Sequence, residues 1–540
     1  MRNETFRAVW VANLISNFGG LIQSVGAAWL MTSLTTSAAL VALVQASITL
    51  PIMLFSLAAG AVADNYDKRR VMLAAQVLMT VVAALLTWCA WVGWIAPWSL
   101  LVFTFLLGCG LALNNPAWQS SVRDMVPRQD LPQAIALNSV GMNIARSVGP
   151  AVGGMIVAAA GAAAAFAVNA LSYLALIVVL LRWRPARPAR LLPPELLGAA
   201  MGAGLRFVAM SPAIRTVMAR ALAFGLAGSA VTALLPLVAR DLVGGGPVTF
   251  GLLLGAFGIG AIAGALLTSR MRQGLGPEGV VRLSFVGFAA CAAAIAFSAS
   301  MPATMLALAV GGACWVLALS SFNVAVQVSS PRWVVGRTLA LYQTAAFGGM
   351  ALGSWTWGLL AERFSVRDVL ALSAVAHLVV LAAGLRRRLP DDAEINLEPL
   401  DRWREPSLGL EIRPRSGPIV VTIEYRIREE DVREFLALMA ERRRIRRRDG
   451  ARHWHLLRDL AEPELWTERY DTPTWLDYVR MSQRITQADA RIVDRLRALH
   501  RGPEPPRVRR RIERQPVATA LEAGSGEADH YPTDPAQGPG

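Results

Sequence analysis

From Phe6 to Leu385 the chain alternates long apolar runs with short polar breaks, and after Arg386 the long runs stop. A helix needs about 20 apolar residues to cross a hydrocarbon core about 30 Å thick. Runs of that length fall near 8–31, 37–62, 71–94, 98–119, 133–159 and 162–182, and again near 213–239, 247–269, 279–299, 302–327, 334–360 and 367–385. The pattern predicts twelve transmembrane helices in two sets of six. Gly, Pro and Asn recur inside the runs; they break soluble helices but are tolerated in transmembrane ones. The first run is too long for the apolar core of a cleavable signal peptide and lacks a cleavage site.

Composition agrees: 54% of the 540 residues are hydrophobic and 17% charged, and mean hydropathy is +0.43. The net charge of +15 divides between basic loops and a basic C-terminal region, so it does not argue for nucleic acid. Loop charge alternates. One side carries Arg2, Arg7, Lys68, Arg69, Arg70, Arg123, Arg128, Arg182, Arg184, Arg187, Arg190, Arg270, Arg272, Arg332, Arg337 and Arg386 to Arg388; the other carries Arg240, Arg363 and Arg367. The positive-inside rule places the first side and both termini in the cytoplasm of a bacterial-type inner membrane. The four cysteines lie inside apolar runs, as small core residues do.

The two sets of helices repeat one another. After the second run stands Gly60-x-x-x-Asp64-x-x-Asp67-Lys68-Arg69-Arg70, and after the eighth Gly264-x-x-x-Thr268-x-Arg270-x-Arg272. Asn115-x-x-x-Gln119 recurs as Asn323-x-x-x-Gln327, and Gly149 corresponds to Gly353. Two bundles with a site between them are the plan of an alternating-access carrier.

The Gly60 to Arg70 segment resembles the cytoplasmic signature between helices two and three of the major facilitator superfamily. A glycine there admits a close neighbour, and a carboxylate at a helix end can pair with a basic residue and a helix N-terminus. The resemblance implies a gating latch made by Gly60, Asp64, Asp67, Lys68, Arg69 and Arg70; the plainer reading is a solvated loop that sets topology. Asn65 and Asp67 depart from the family pattern. A further set is Asn114-Asn115-Pro116-x-Trp118-Gln119, Asn138 and Asn143-x-x-Arg146-x-x-Gly149-Pro150-x-x-Gly153-Gly154. It resembles the transmembrane secretion effector branch that holds enterobactin exporters and macrolide efflux pumps. That resemblance covers roughly residues 5–385 and implies proton antiport.

Gly149, Pro150, Gly153 and Gly154 suit a bendable fifth helix with a flat packing face. Arg146 lies about 20 Å along its helix, where an arginine costs about 2.5–3.5 kcal/mol on insertion scales. It must face protein or a watery cavity. Asn13, Asn17, Asn115, Gln119, Asn138, Asn143, Asn323, Gln327 and Gln343 join it as candidates for a polar substrate pathway; the same residues could serve as interhelical hydrogen-bond glue. The repeat sets Met350 opposite Arg146. No Asp or Glu lies in the middle of a run, and His377 is the one histidine within the runs, read as a packed polar residue.

Residues 417–515 read as a separate cytoplasmic domain. Strands are predicted near 418–425, 452–457, 465–470 and 507–512, with one helix whose apolar face is Val432, Phe435, Leu436 and Met439 and another near 474–500. That β-α-β-β-α-β order is ferredoxin-like and resembles the dimeric α+β barrels of the antibiotic-biosynthesis-monooxygenase type. One sheet face, with alternate residues of 419–425 and the Trp454 and Trp466 strands, is expected to need a partner, which implies a homodimer. His453 and His455 share a strand face but lack a third metal ligand. The basic run Glu441 to Arg448 reads as a solvated or lipid-facing surface.

The fold expected is therefore an all-α polytopic membrane protein of two six-helix bundles with a C-terminal α+β ferredoxin-like domain. Its parts are 1–182 and 211–388 (bundles), 183–210 and 389–416 (linkers), 417–515 (domain) and 516–540 (disordered tail). The function expected is export of a small amphiphilic molecule, siderophore or drug-like, with membrane lipids as surroundings and without cofactor, metal, catalytic residues or nucleic acid. The alternatives are an enzyme or a regulatory module acting through the C-terminal domain; twelve repeated spans exceed what an anchor needs.

Overall fold

The computed structural model describes residues 4–126, 130–183, 197–331, 333–385 and 408–513, with a few positions between 389 and 406. The expected tail at 516–540 and most of the two linkers lie outside the described residues.

The apolar runs are helices: α1 (Glu4–Leu34), α2 (Ala38–Asn65), α3 (Lys68–Val92), α4 (Pro97–Met125), α5 (Leu131–Arg182), α6 (Leu197–Ala209), α7 (Pro212–Leu237), α8 (Pro247–Phe297), α9 (Met301–Val328), α10 (Val335–Ala361) and α11 (Val366–Gly384). Among the described residues, nine are long and apolar enough to cross a membrane.

Two of these helices double back. Along α5, Gly141 packs on Trp10 and Leu14, Gly149 on Leu21, and Gly153 on Ile22 and Val25, so the first half runs parallel to α1. Beyond residue 161 the order reverses: Gly26 packs on Ala165, Gln23 bonds Asn169, and Gly19 packs on Ser172. The turn is at Gly161, whose φ of 77° is strained for any residue with a Cβ. In α8 the first half follows α9 in parallel, with Gly260 on Ala309 and Gly264 on Ala313. The second half opposes it, with Gly287 on Cys314 and Cys291 on Gly311. This turn is at Gly276, φ 69°. The break expected across 270–278 is mostly helical and confined to that one residue.

The chain forms two compact units: 1–201, 213–327 and 336–391 in one, and 202–212, 328–335 and 392–540 in the other. In the first, Phe224 packs edge-on against Phe285 (5.0 Å) and Phe288 (5.6 Å). His377 stacks on Phe288 at 5.0 Å, with Nδ1 2.9 Å from the Ser373 carbonyl oxygen. The histidine is core, enclosed by rings.

In the second unit, β1 (Ile419–Arg426), β2 (Arg452–Arg458), β3 (Leu465–Thr472) and β4 (Arg507–Ile512) form one antiparallel sheet in the order β2-β3-β1-β4. Helices α12 (Val432–Asp449), α13 (Trp475–Gln483) and α14 (Gln487–Leu499) complete it. The single helix expected over 474–500 is broken at residues 484–486, because Thr486 and Asp489 close a capping box that starts α14.

Three expectations for this region are corrected. Trp466 and Trp454 do not lie on an open apolar face: Trp466 is buried 5.6 Å from Phe435 of α12, and Trp454 Nε1 donates to buried Glu468 at 3.1 Å. The register places Thr422, Glu424, Arg469, Arg509 and Arg511 together on the opposite face, which is polar and largely cationic. That face carries charges of both signs, with Arg509 3.7 Å from Glu424, and is not the apolar face expected to need a partner. Nor is the α12 basic run wholly solvated: Arg442 and Arg446 turn inward to Glu468 (2.7 and 3.3 Å), and Arg448 pairs with Asp449 and Asp489 (2.8 Å each). The face shared by His453 and His455 is interrupted by a bulge between Arg452 and His455, and His453 pairs with Asp471.

Candidate substrate pathway

The exposed apolar stripe of each helix marks its outer side, and the polar candidates are located against it. On α5 the stripe is Val140, Ile144, Val148 and Met155. At 100° per residue, Arg146 points about 165° away from that stripe. It lies between the α1-facing residues Gly141, Gly149 and Gly153 and the α8-facing residues Pro150 and Gly154. Its side chain is nonetheless exposed, on the side turned away from the apolar stripe. Asn143, half-buried, lies on the same side, nearer α8.

The same construction holds elsewhere. On α1, Val11 and Ile15 are outer, whereas Asn13 (buried) and Asn17 (half-buried) lie on the opposing face. On α4, Trp98 and Val102 are outer; Asn115, exposed, lies about 120° from that stripe, and Gln119, also exposed, only about 80° from it. On α10, Leu352, Trp355 and Leu359 are outer and half-buried Gln343 is turned inward. Asn138 differs: its Oδ1 accepts from Trp118 Nε1 at 3.2 Å, which ties α5 to α4. On α9, Gln327 donates to Asn323.

Glycine packing holds these faces in place. Gly149 and Gly153 meet α1, whereas Pro150 and Gly154 meet α8: a Cβ on Gly154 would fall 2.5 Å from the Pro247 carbonyl oxygen. On α8 the complementary residues are Gly251, Gly255 and Gly258, where a Cβ would fall 2.5, 3.0 and 2.5 Å from the carbonyl oxygens of Pro150, Ser147 and Arg146. The second set mirrors this. On α10, Gly349 and Gly353 meet α7 at Leu222 and Leu226, and Gly348 and Gly358 meet α2 at Met53 and at Ala39 with Ala42. Ser56 and Thr344 bond at 2.8 Å across the same α2–α10 contact. Met350, the counterpart of Arg146, is buried against Gly225.

The signature residues divide. Asp67 caps α3 through the backbone N–H groups of Arg69 and Arg70. Lys68 donates to the Ser120 carbonyl oxygen at 3.2 Å. Arg69 donates to the carbonyl oxygens of Leu180 (2.7 Å) and Leu181 (2.8 Å), closing the C-terminus of α5 where a cation is favoured. Arg70 is exposed. The close approach expected at Gly60 is not found among the described residues: none of their heavy atoms lies within 4 Å of a notional Cβ. The Asp64 side chain lies outside the described residues.

Several polar contacts escaped the sequence. Gln76 donates to Asn114 at 3.3 Å; the tract Asn114-Asn115 was legible, but which asparagine turns inward depends on a 100° step. Asn169 joins Gln23 and Tyr173 between α1 and α5. Arg220 pairs with Glu278 (2.6 Å), which also bonds Arg282 and the Leu389 backbone N–H. Gln76–Asn114, Gln23–Asn169 and Arg220–Glu278 are too distant in sequence to leave a local pattern.

A helical duplication with polar inner faces defines a membrane transporter of the major facilitator type, not an enzyme. The chain belongs to the transmembrane secretion effector family, whose profile matches residues 1–516. It is 27% identical to the multidrug efflux pump Tap of Mycolicibacterium fortuitum, over 70% of this chain and 94% of that one. It is 25% identical to the staphyloferrin A transporter of Staphylococcus aureus, over 49% and 67%. Among solved structures it is similar to an auto-inhibited POT family peptide transporter (TM-score 0.60, 14% identity, 72% and 98% covered). It is also similar to an inward-facing, occupied bacterial homologue of the human lysosomal transporter Spinster (TM-score 0.57, 14% identity, 71% and 95% covered). At that identity the likeness concerns the fold.

Proposed function

We propose that the chain exports a small amphiphilic molecule by alternating access of its two helical sets, with both termini cytoplasmic. The observation that carries the reading is Arg146, an exposed arginine turned to the inner side of α5 beside Asn143 and opposite an apolar outer stripe. Asn17, Asn115, Gln119 and Gln343, the further polar candidates, add neutral hydrogen-bonding groups, none of them acidic. Such a lining suits uncharged or anionic amphiphiles, siderophore-like or drug-like, and the relatives named for efflux and siderophore transport accord with it. On this reading α5 and α8 each cross twice and α10 once, which makes twelve crossings. The basic loop residues support the orientation, and the second unit gathers two such loops with the C-terminal domain. The sheet order β2-β3-β1-β4 is that of a ferredoxin-like fold.

The test is an efflux screen in a pump-deficient bacterial host with a panel of dyes, macrolides and siderophores, with and without an uncoupler. Uncoupler-sensitive reduction of accumulation is expected. Uptake rather than efflux of every accepted compound would reverse the direction; efflux indifferent to the proton gradient would remove antiport.

A further inference from the structure

Three stretches far apart in sequence make up the second unit: 202–212, which ends α6 and leads into α7; 328–335, which joins α9 to α10; and 392–540. Residues 183–210 were expected to be linker only, yet Phe207 of α6 is 2% exposed. Its ring meets Trp333 edge-on at 5.7 Å. The Arg448 guanidinium lies 5.6 Å from the Phe207 ring, and that of Arg484 lies 4.1 Å from the Trp333 ring. Arg444 donates to the Met210 carbonyl oxygen at 3.2 Å.

Neither stacking cation is loosely held. Arg448 is bonded to Asp449 and Asp489, and Arg484 donates to the Asp449 carbonyl oxygen at 2.8 Å. Asp489 in turn caps α14 through Thr486. The end of α12 and the residue that closes α13 thus present two oriented guanidinium groups to two aromatic rings that are neighbours of each other. An oriented cation over a ring gains most where water is excluded, and planar guanidinium is suited to that stack where lysine is not.

We propose that this corner is an internal docking surface through which the C-terminal domain braces the carrier, holding the start of α7 and the α9–α10 loop together. The gripped segments all adjoin helices of the second set. The brace therefore stiffens one set as a moving body and does not tie it to the other. Its loss slows the transport cycle and leaves the inner-face residues that meet substrate untouched. This role rests on the transporter reading for its effect on rate, but not for its physical test.

That test uses trypsin on the full-length chain in detergent, because Arg206–Phe207 and Arg332–Trp333 are both tryptic bonds at the gripped rings. Arg484→Gln is expected to speed cleavage at both bonds at least fivefold, while Arg484→Lys gives an intermediate rate. In cells, Arg484→Gln is expected to cut efflux at least threefold at equal expression, with the concentration for half-maximal efflux unchanged. Cleavage at the wild-type rate in Arg484→Gln would overturn the brace even if no transported compound is known. Faster cleavage with undiminished efflux would overturn its effect on the cycle.

Discussion

Gly154 of α5 and Gly251 of α8 face each other across the boundary between the two helical sets with no room for a side chain: a Cβ on Gly251 would lie 3.0 Å from the Gly154 Cα and 2.5 Å from the Pro150 carbonyl oxygen. The obstacle is backbone and cannot swing aside as a side-chain tip would. The two helices meet here without knobs or holes, through small residues that permit close approach.

Gly251→Val is therefore expected to lower efflux at least tenfold and to reduce the yield of folded protein. Gly20→Ala and Gly60→Ala place a methyl where nothing among the described residues lies within 4 Å and should export within twofold of wild type. Efflux and membrane yield measured side by side decide this; a wild-type rate for Gly251→Val would mean that the α5–α8 contact is not kept during turnover.

Arg146→Ala removes a charge that is exposed on the inner side of α5 and is not part of its packing face. Efflux of anionic compounds should fall at least fivefold more than that of neutral ones, with expression and melting temperature held. Equal losses for both classes, together with a lower melting temperature, would make Arg146 a structural residue.

Glu468 is fully buried and takes bonds from Arg442, Arg446 and Trp454. Glu468→Gln keeps the shape but leaves two guanidinium groups without their counter-charge. Removing one partner of a buried ion pair costs about 3–5 kcal/mol, a large part of a small domain's stability. The C-terminal domain should lose its protease resistance, whereas Glu424→Gln on the polar sheet face should change it little.

Asp449 gives a pH dependence of definite sign. Burial pushes its carboxyl up from 3.8 to about 6, against the pull of Arg448. A carboxyl raised in the folded state favours folding while it is protonated, and that contribution is lost as pH rises from about 4 to 6. The melting temperature of the second unit should fall over that interval in the wild type, and the fall should be smaller in Asp449→Asn. A steeper fall in the variant would reverse the sign.

The apolar runs and the alternation of loop charge were legible because the bilayer imposes length and hydropathy one segment at a time. So were the strands near 419, 452, 465 and 507, since alternation and β-rich composition are local, and the glycines of the fifth run, since a helix bearing four small residues advertises a packing face. Which helix each of those glycines meets was not legible: Gly153 turns to α1 and Gly154 to α8, one residue and 100° apart. The inward turn of Arg442, Arg446 and Arg448 was hidden likewise, because their counter-charges include Glu468 and Asp489, beyond the reach of any helical or strand period. Trp333 and Phe207 looked like loop and linker residues; only the folded chain brings them under two arginines more than a hundred residues away. Sequence by itself determines what each segment can be, since backbone geometry and solvent act on neighbours along the chain. Tertiary structure decides which of two adjacent residues meets a partner, because that depends on the position of a second segment that the first does not encode.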